Sequence, residues 1–511
     1  MTPKDIGQLL SVGFDGFEAP PSLLGAIRQG RVGGVILFGR NVRDVLQLRT
    51  LTSELQEAAA LGGHASLFIA IDQEGGAVRR LRDRFVPLPS AMAMAASGQV
   101  ESAQRLLYLS ALEMMNLGIN QNYAPVLDVN NNPLNPVIGI RSFGEDPESC
   151  ARWGQLYIRA MQDAGMIATG KHFPGHGDTD QDSHSALPLV PHDRIRLEAI
   201  ELLPFRAAIA AGIRALMSAH VVFPAFDPIP HQPATISAAI LGNLMRQELG
   251  FSGMIVTDCM EMAAIHDGVG TSEGTFRAIS AGADQVLISH SGSLQHQSYE
   301  RLSRAVAHGE IASSRLKEAV RTVSETKALI GHPEGAVDSE EAYRLAEEIW
   351  ESAVAGVGAL DRLPLKGPLT LVTFQSIPRS PADDRGAASA HPLAEFLHDQ
   401  VHQHFSLPLK PTPNDIEEVH RESHGMPLVV ALDNALQHPE QLLLLNRQWT
   451  AGPIVAIALS SPYDLKRIPV GSVGLTAFDP SIEAQRAISK ALRGQIAIKG
   501  HWPITLEVRN R

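Results

Sequence analysis

The amino-acid sequence predicts an α/β protein, an N-terminal (β/α)8-like barrel followed by a C-terminal α/β sandwich domain. Three observations carry the barrel. Short apolar runs recur through the first two thirds of the 511 residues. Most are separated by longer amphipathic stretches whose apolar spacing is close to the 3.6-residue helical period. The unusual polar residues follow the runs and do not precede them. Strands alternating with helices imply a parallel sheet. Seven candidate strands before residue 335, with an eighth at Leu9 to Gly13, point to a closed or nearly closed sheet.

In chain order the candidate strands are Val35 to Phe38, Leu67 to Ile71, Tyr123 to Val129, Ile167 to Thr169, Ala215 to Val222, Met254 to Val256 and Val286 to Ile288. Val45 to Ala60 and Ala239 to Leu249 typify the helices between them. The polar groups that follow strands are Asp72-Gln73-Glu74-Gly75-Gly76, Lys171-His172-Phe173-Pro174-Gly175-His176, Ser218-Ala219-His220 and Thr257-Asp258. In a β/α barrel the C-terminal ends of the strands form the catalytic face, so this placement is functional information as well as topology. From about Pro333 the pattern becomes a helical connector, Ser339 to Val357, flanked by Gly and Pro. Beyond it Leu369 to Phe374, Leu428 to Leu432 and Ile454 to Leu459 read as strands with helices between them. The expected organisation is a barrel over 1–335, a helical linker over 336–364 and a second α/β domain over 365–511.

Composition narrows the function. With 44% hydrophobic and 19% charged residues the chain reads as globular. No run approaches the ~18 apolar residues of a membrane span. The formal charge of -12, without a Lys/Arg cluster, gives no electrostatic footprint for nucleic acid or an anionic membrane. Two cysteines, Cys150 and Cys259, make no disulfide framework. The N-terminal MTPKDIGQLLSVGFDGF carries acidic residues and a helical pattern where a secretory signal would be basic and then apolar. A cytoplasmic protein with a neutral or mixed small-molecule substrate is the expectation.

The densest constellation is Lys171 to His184, KHFPGHGDTDQDSH, with three histidines, a lysine and aspartates in fourteen residues. Pro174, Gly175 and Gly177 forbid a regular helix through it, so it reads as a shaped loop. Asp182 and His184 are two apart, so on an extended or loosely turned segment they project to one side. The carboxylate can then hydrogen-bond one imidazole nitrogen and set the tautomer and basicity of the other, which makes an acid/base dyad. A competing reading is a metal-dependent hydrolase centred on His172, His176, Asp178 and His184. Pro-Gly between His172 and His176 keeps that pair off a common helix face, and Lys171 is a poor neighbour for a cation. Asp178 and Thr179 suit turns that satisfy their own backbone.

The second constellation is Gly253 to Met262, GMIVTDCMEM. An aspartate ending a short apolar strand stands on the catalytic rim, where its carboxylate can attack an anomeric carbon; Asp258 is therefore a candidate nucleophile, with helix capping as the alternative. Cys259, flanked by Met260 and Met262, reads as packed, and Glu261 as outward-facing or a helix N-terminal charge.

The run KHFPGHGDTDQDSH, together with IDQEGGAVRRLR, RSFGEDP and IVTDCMEM, resembles glycoside hydrolase family 3, and within it the β-N-acetylglucosaminidases that recycle peptidoglycan. Four motifs occur in order over residues 1 to about 335, and the fold that the resemblance implies there is a β/α barrel. It also implies roles. The aspartate matching Asp258 is the nucleophile, and the histidine matching His184, assisted by the one matching Asp182, is the general acid/base. Asp72, Arg80, Arg141, Lys171 and His172 fall on positions that hold sugar hydroxyls. Many relatives have Asp-Leu or Ala-Leu after the nucleophile, where this chain has Cys259-Met260. The C-terminal part resembles the family's second domain through Leu459 to Leu465 and Gly500 to Leu506. The expected activity is retaining exo-hydrolysis of N-acetylglucosaminides from peptidoglycan-derived saccharides, without cofactor or metal. A β-glucosidase or β-xylosidase, and a phosphorylase acting on N-acetylglucosaminides, are the alternatives. Oligomeric state and aglycone are not legible in the sequence.

Overall fold

The computed structural model describes residues 3–332, 335–375, 391–423, 425–446 and 452–506; Pro333, where the connector pattern begins, lies outside them. Eight parallel strands close a barrel in sequential order: β1 (Leu10–Val12), β2 (Gly34–Leu37), β3 (Phe68–Ile71), β4 (Gln121–Asn122), β5 (Ile167–Phe173), β6 (Ala215–Ser218), β7 (Met254–Cys259) and β8 (Gln285–Ile288). β1 closes the ring, pairing Val12 with Ile288 of β8 and Ser11 with Gly34 of β2. Strands buried on both faces need near-continuous apolar sequence, which is why GVIL, FIAI and MIV were legible and why their side chains are fully buried.

Four strands differ from expectation: β6 stops at Ser218, short of the expected Val222, β7 runs past Val256 to Cys259, and β4 and β5 also differ. The β4 strand is assigned to Gln121–Asn122, just before the expected run Tyr123 to Val129, which itself keeps only an isolated parallel bridge of Val126 to Lys171. Pro125 has no N–H for a ladder, and beyond it the chain meets β5 through the Leu127 N–H on the Lys171 carbonyl and the Lys171 N–H on the Pro125 carbonyl. β5 runs further than expected, to Phe173, so Lys171 and His172 are strand residues and the shaped loop begins at Pro174.

A six-stranded sheet follows: β9 (Ala355–Gly358), β10 (Leu369–Phe374), β11 (Val401–Leu407), β12 (Leu428–Leu432), β13 (Ile454–Ala458) and β14 (Val473–Thr476), in the spatial order β9-β14-β13-β12-β10-β11. Only β9 is antiparallel. The connector helix spans Ser339–Ala353, capped by Asp338 through the Glu341 N–H, and the chain then turns directly into β9. Sequence periodicity missed β11 because it is an edge strand whose His402, His404 and Ser406 alternate into solvent.

The sheet is fastened to the barrel. Asp479 Oδ2 accepts from the Ser90 N–H at 2.7 Å and from Trp350 Nε1 at 3.1 Å, and Ser90 Oγ donates to the Phe478 carbonyl at 2.6 Å. Tyr463 packs its hydroxyl against Asn130 at 3.2 Å. One apolar cluster runs from Leu106 and Leu107 through Ile349 and Trp350 to Leu371 and Val455. Among the described residues, no helix is long and apolar enough to cross a membrane.

Candidate functional site

Parallel strands present all their C-terminal ends on one side of a barrel, and there the chain forms a pocket of about 400 Å³. Asp258 is the penultimate residue of β7, Lys171 and His172 lie near the end of β5, and Asp72 follows β3 directly. Glu74 and Arg80 belong to, or immediately follow, a small hairpin pairing 73–75 with 78–79, and Arg141 ends a short turn at Gly139–Arg141. With His184 these residues all line the pocket. Of the expected site residues only Asp182 does not line it, and it touches His184 from behind.

One wall is a buried ion network. Arg141 grips Glu74 through Nε and Nη2, both at 2.8 Å. Lys171 Nζ stands 2.6 Å from Glu74 Oε1 and 2.7 Å from Asp72 Oδ1, and Arg80 Nη2 is 3.7 Å from Asp72 Oδ2. Burial by itself would raise the Glu74 carboxyl, but the charges of Arg141 and Lys171 outweigh it and hold the group far below the usual carboxylate range. The same carboxylates keep the buried Lys171 ammonium charged against its desolvation.

A second network centres on the fully buried Asp128. It accepts from His172 Nδ1 at 2.7 Å and from the backbone N–H groups of His172 at 3.1 Å and His176 at 2.7 Å. A proton on Nδ1 leaves Nε2 of His172 facing Asp258 Oδ2 at 4.0 Å. Asp258 also accepts from the Cys259 N–H at 2.7 Å. Burial pushes its carboxyl up, yet His172, His220 and His184, with that N–H, bring it down to about 2.

The loop after β5 carries the dyad. Asp182 Oδ1 is 2.7 Å from His184 Nδ1 and accepts the His184 N–H at 2.9 Å. His176, buried beneath, bonds Thr179 Oγ1 through Nδ1 at 2.8 Å and Ser183 Oγ through Nε2 at 3.0 Å, so it fixes the residue between the two members of the dyad. Gly177 permits this close fold: a Cβ there would meet the Val129 carbonyl oxygen at 1.8 Å. Burial, then the neighbouring His172, lowers the His176 imidazole to about 4.

The four residues of the metal-centred alternative do not converge. Asp178 turns to His192 Nε2 at 2.7 Å and Arg196 Nη2 at 2.8 Å, while His172 and His176 bond Asp128, Thr179 and Ser183. Glu261 also departs from expectation: it lines the pocket and accepts the N–H groups of His290 and Ser291, both at 2.7 Å. Cys259 borders the pocket too, and burial pushes its thiol up to about 12, which makes it a poor nucleophile. Glu74, Asp128 and His220 were not singled out from sequence. Glu74 lay inside the quoted motif, and Asp128 was the sole charged residue of an apolar run, the one signal that could have exposed it.

Comparison with known proteins bears on this architecture. The model of the glycosyl hydrolase family 3 N-terminal domain matches residues 1–326. "Beta-hexosaminidase A" of Pseudoalteromonas piscicida is 40% identical over 284 residues, 53% of this chain but only 48% of that protein, so the match spans about half the relative's length. A β-N-acetylglucosaminidase of glycoside hydrolase family 3 from a Paenibacillus species superposes with a TM-score of 0.89 at 36% identity, covering 100% of this chain and 99% of that one. A Neisseria gonorrhoeae protein in complex with N-trifluoroacetyl-D-glucosamine superposes with a TM-score of 0.51 at 29% identity over 64% of this chain and 98% of that one. A closed barrel with its polar residues gathered at the strand ends, matched over its whole length by one family model, leaves one assignment: the chain belongs to glycosyl hydrolase family 3.

Proposed function

We propose that the chain is a retaining exo-β-N-acetylglucosaminidase that releases terminal N-acetylglucosamine from peptidoglycan-derived saccharides. Asp258 attacks the anomeric carbon and forms a glycosyl ester, while His184 protonates the departing oxygen. The same imidazole then takes a proton from the water that hydrolyses the ester. Asp182 orients His184 through Nδ1 and stabilises the imidazolium. Asp72, Arg80, Lys171 and His172 hold sugar hydroxyls, and Arg141 does so while bracing Glu74.

The observation that carries this reading is that Asp258, a carboxylate at the barrel rim, lines one pocket with His184, whose Nδ1 is held by Asp182 at 2.7 Å. The pocket's volume lies in the ~300–1,000 Å³ range of small-molecule sites. The hexosaminidase names of the relatives, and the N-acylglucosamine held by one of them, support the sugar. A cytoplasmic setting belongs to the proposal and is supported by two unpaired thiols.

The test is threefold. Asp258→Asn keeps the shape but is a very weak nucleophile, and turnover falls by about three orders of magnitude or more. Proton NMR of the first-formed sugar shows the β anomer. A panel of nitrophenyl glycosides places the N-acetylglucosaminide well above glucoside and xyloside. Near-normal turnover, an α anomer formed first, or a preferred glucoside or xyloside would each overturn the reading.

A further inference from the structure

Beside Asp258, three side chains that the proposed mechanism does not use point to one spot. Cys259 ends β7, Glu261 follows it, and His290 follows β8, the adjacent strand, in which Leu287 is in register with Cys259. Their Sγ, carboxylate oxygen and imidazole nitrogen all lie within 4.8 Å of one another, and among the described residues they are the one such His/Cys/Asp/Glu group. All three line the pocket.

The geometry suits a tetrahedral cation. Metal–ligand lengths of about 2.3 Å to sulfur and about 2.0–2.2 Å to nitrogen and oxygen require ligand–ligand edges of roughly 3.4–3.6 Å. Cys259 Sγ and Glu261 Oε2 already stand 3.7 Å apart. His290 is exposed, and its ring has to close by at most about 1.4 Å to complete the third vertex. The carboxylate is held for this in advance, because the N–H groups of His290 and Ser291 fix both its oxygens at 2.7 Å.

We propose that Cys259, Glu261 and His290 form a binding site for zinc-class cations at the rim of the pocket, and that its occupation inhibits the enzyme. Sulfur with imidazole selects a soft or borderline cation over magnesium or calcium. On binding, the thiol proton leaves to solvent and an Sγ–metal bond forms. One thiolate and one carboxylate then neutralise the dication beside a neutral imidazole, with no change of oxidation state. Three protein ligands leave the fourth position open to the pocket. Asp258 is the residue before Cys259, so the cation draws on the carboxylate that has to attack sugar and obstructs the path of the leaving group. The inhibitory consequence rests on the reading of Asp258 as nucleophile; the binding site does not.

The experiment uses the full chain after treatment with a chelator. Titration with Co²⁺ gives a thiolate-to-cobalt charge-transfer band in the near ultraviolet, saturating at one equivalent and displaced by Zn²⁺. The band is lost in Cys259→Ser and weakened in His290→Gln; Cys150 is fully buried and cannot supply it. Zn²⁺ inhibits hydrolysis of the nitrophenyl N-acetylglucosaminide where Mg²⁺ does not. Its half-inhibition concentration rises at least about tenfold in each variant, measured against that variant's own metal-free rate, since even indirect ligand changes cost 10–100-fold in metal affinity. Absence of the band in the unaltered chain, or its survival in Cys259→Ser, overturns the site. Loss of the band with unchanged zinc inhibition overturns the inhibitory role. A normal band in a chain that cleaves no glycoside leaves the site standing and refutes the proposed function instead.

Discussion

Replacing Glu74 by Gln tests whether the ion network under the pocket is held by that one carboxylate. In the folded protein two carboxylates, Glu74 and Asp72, face three cations, Arg141, Lys171 and Arg80. The exchange keeps the shape but leaves one carboxylate to face three cations. It also turns an amide N–H₂ toward donors, because Glu74 now accepts two bonds from Arg141 and one contact from Lys171. The side chains of Glu74, Arg141 and Lys171 are 5%, 8% and 3% exposed, so water cannot make good the loss. Breaking a buried pair from one side costs about 3–5 kcal/mol. At roughly 2–4 °C per kcal/mol for domains of 150–250 residues, and less for a larger one, the apparent melting temperature falls by roughly 5–15 °C. A thermal melt followed by circular dichroism measures this, with near-ultraviolet signal at 20 °C confirming that the variant is folded at the start. The double variant Glu74→Leu/Arg141→Met removes both charges, leaves Lys171 with Asp72, and recovers most of the loss, while turnover stays low. A single variant melting within about 2 °C of the parent, or a double variant no better than the single, would refute the argument that charge imbalance is the cause.

Three other outcomes follow from the same geometry. His184→Ala slows glycosides with poor leaving groups by roughly 10²–10⁴-fold and activated aryl glycosides far less, because only the former need protonation; equal losses on both would mean that His184 only binds. Stability falls in mild acid through His176: its folded value of about 4 lies below the ordinary 6.5, so the neutral imidazole contributes stability that is full above pH 6.5 and is lost as the pH falls toward 4. The full effect is about 3 kcal/mol, and melts of His176→Gln between pH 7 and 4 should show a correspondingly shallower decline; an unchanged slope removes His176 from the account. Phosphate competes with water for the glycosyl ester, since a histidine at the acid/base position, unlike a carboxylate, does not repel an anion. Millimolar phosphate then yields some N-acetylglucosamine 1-phosphate, and its complete absence leaves the enzyme a simple hydrolase.

What the sequence determined by itself was whatever depends on neighbours along the chain. Strand and helix alternation comes from apolar periodicity, and closure into a ring puts every strand's C-terminal end on one rim, so the sequence alone brings Asp72, Lys171, His172 and Asp258 to one face, and all four line the pocket. The Asp182–His184 contact was equally legible, because residues two apart reach each other locally, here in a turn in which the Asp182 carbonyl accepts the Ser185 N–H at 3.0 Å. The tertiary structure alone decided how the charges are balanced. Glu74 meets Arg141 across 67 residues of sequence and Asp128 meets His172 across 44, and no periodicity records such partners. The same holds for Glu261 and His290, which lie on neighbouring strand ends, and for β11, an edge strand too polar to stand out. Local pattern selects the barrel through the burial of apolar faces, a short-range property of the chain. Which buried polar groups neutralise one another is set by closure of the ring, because at such separations in sequence only the folded geometry brings opposite charges within a few ångströms and out of water.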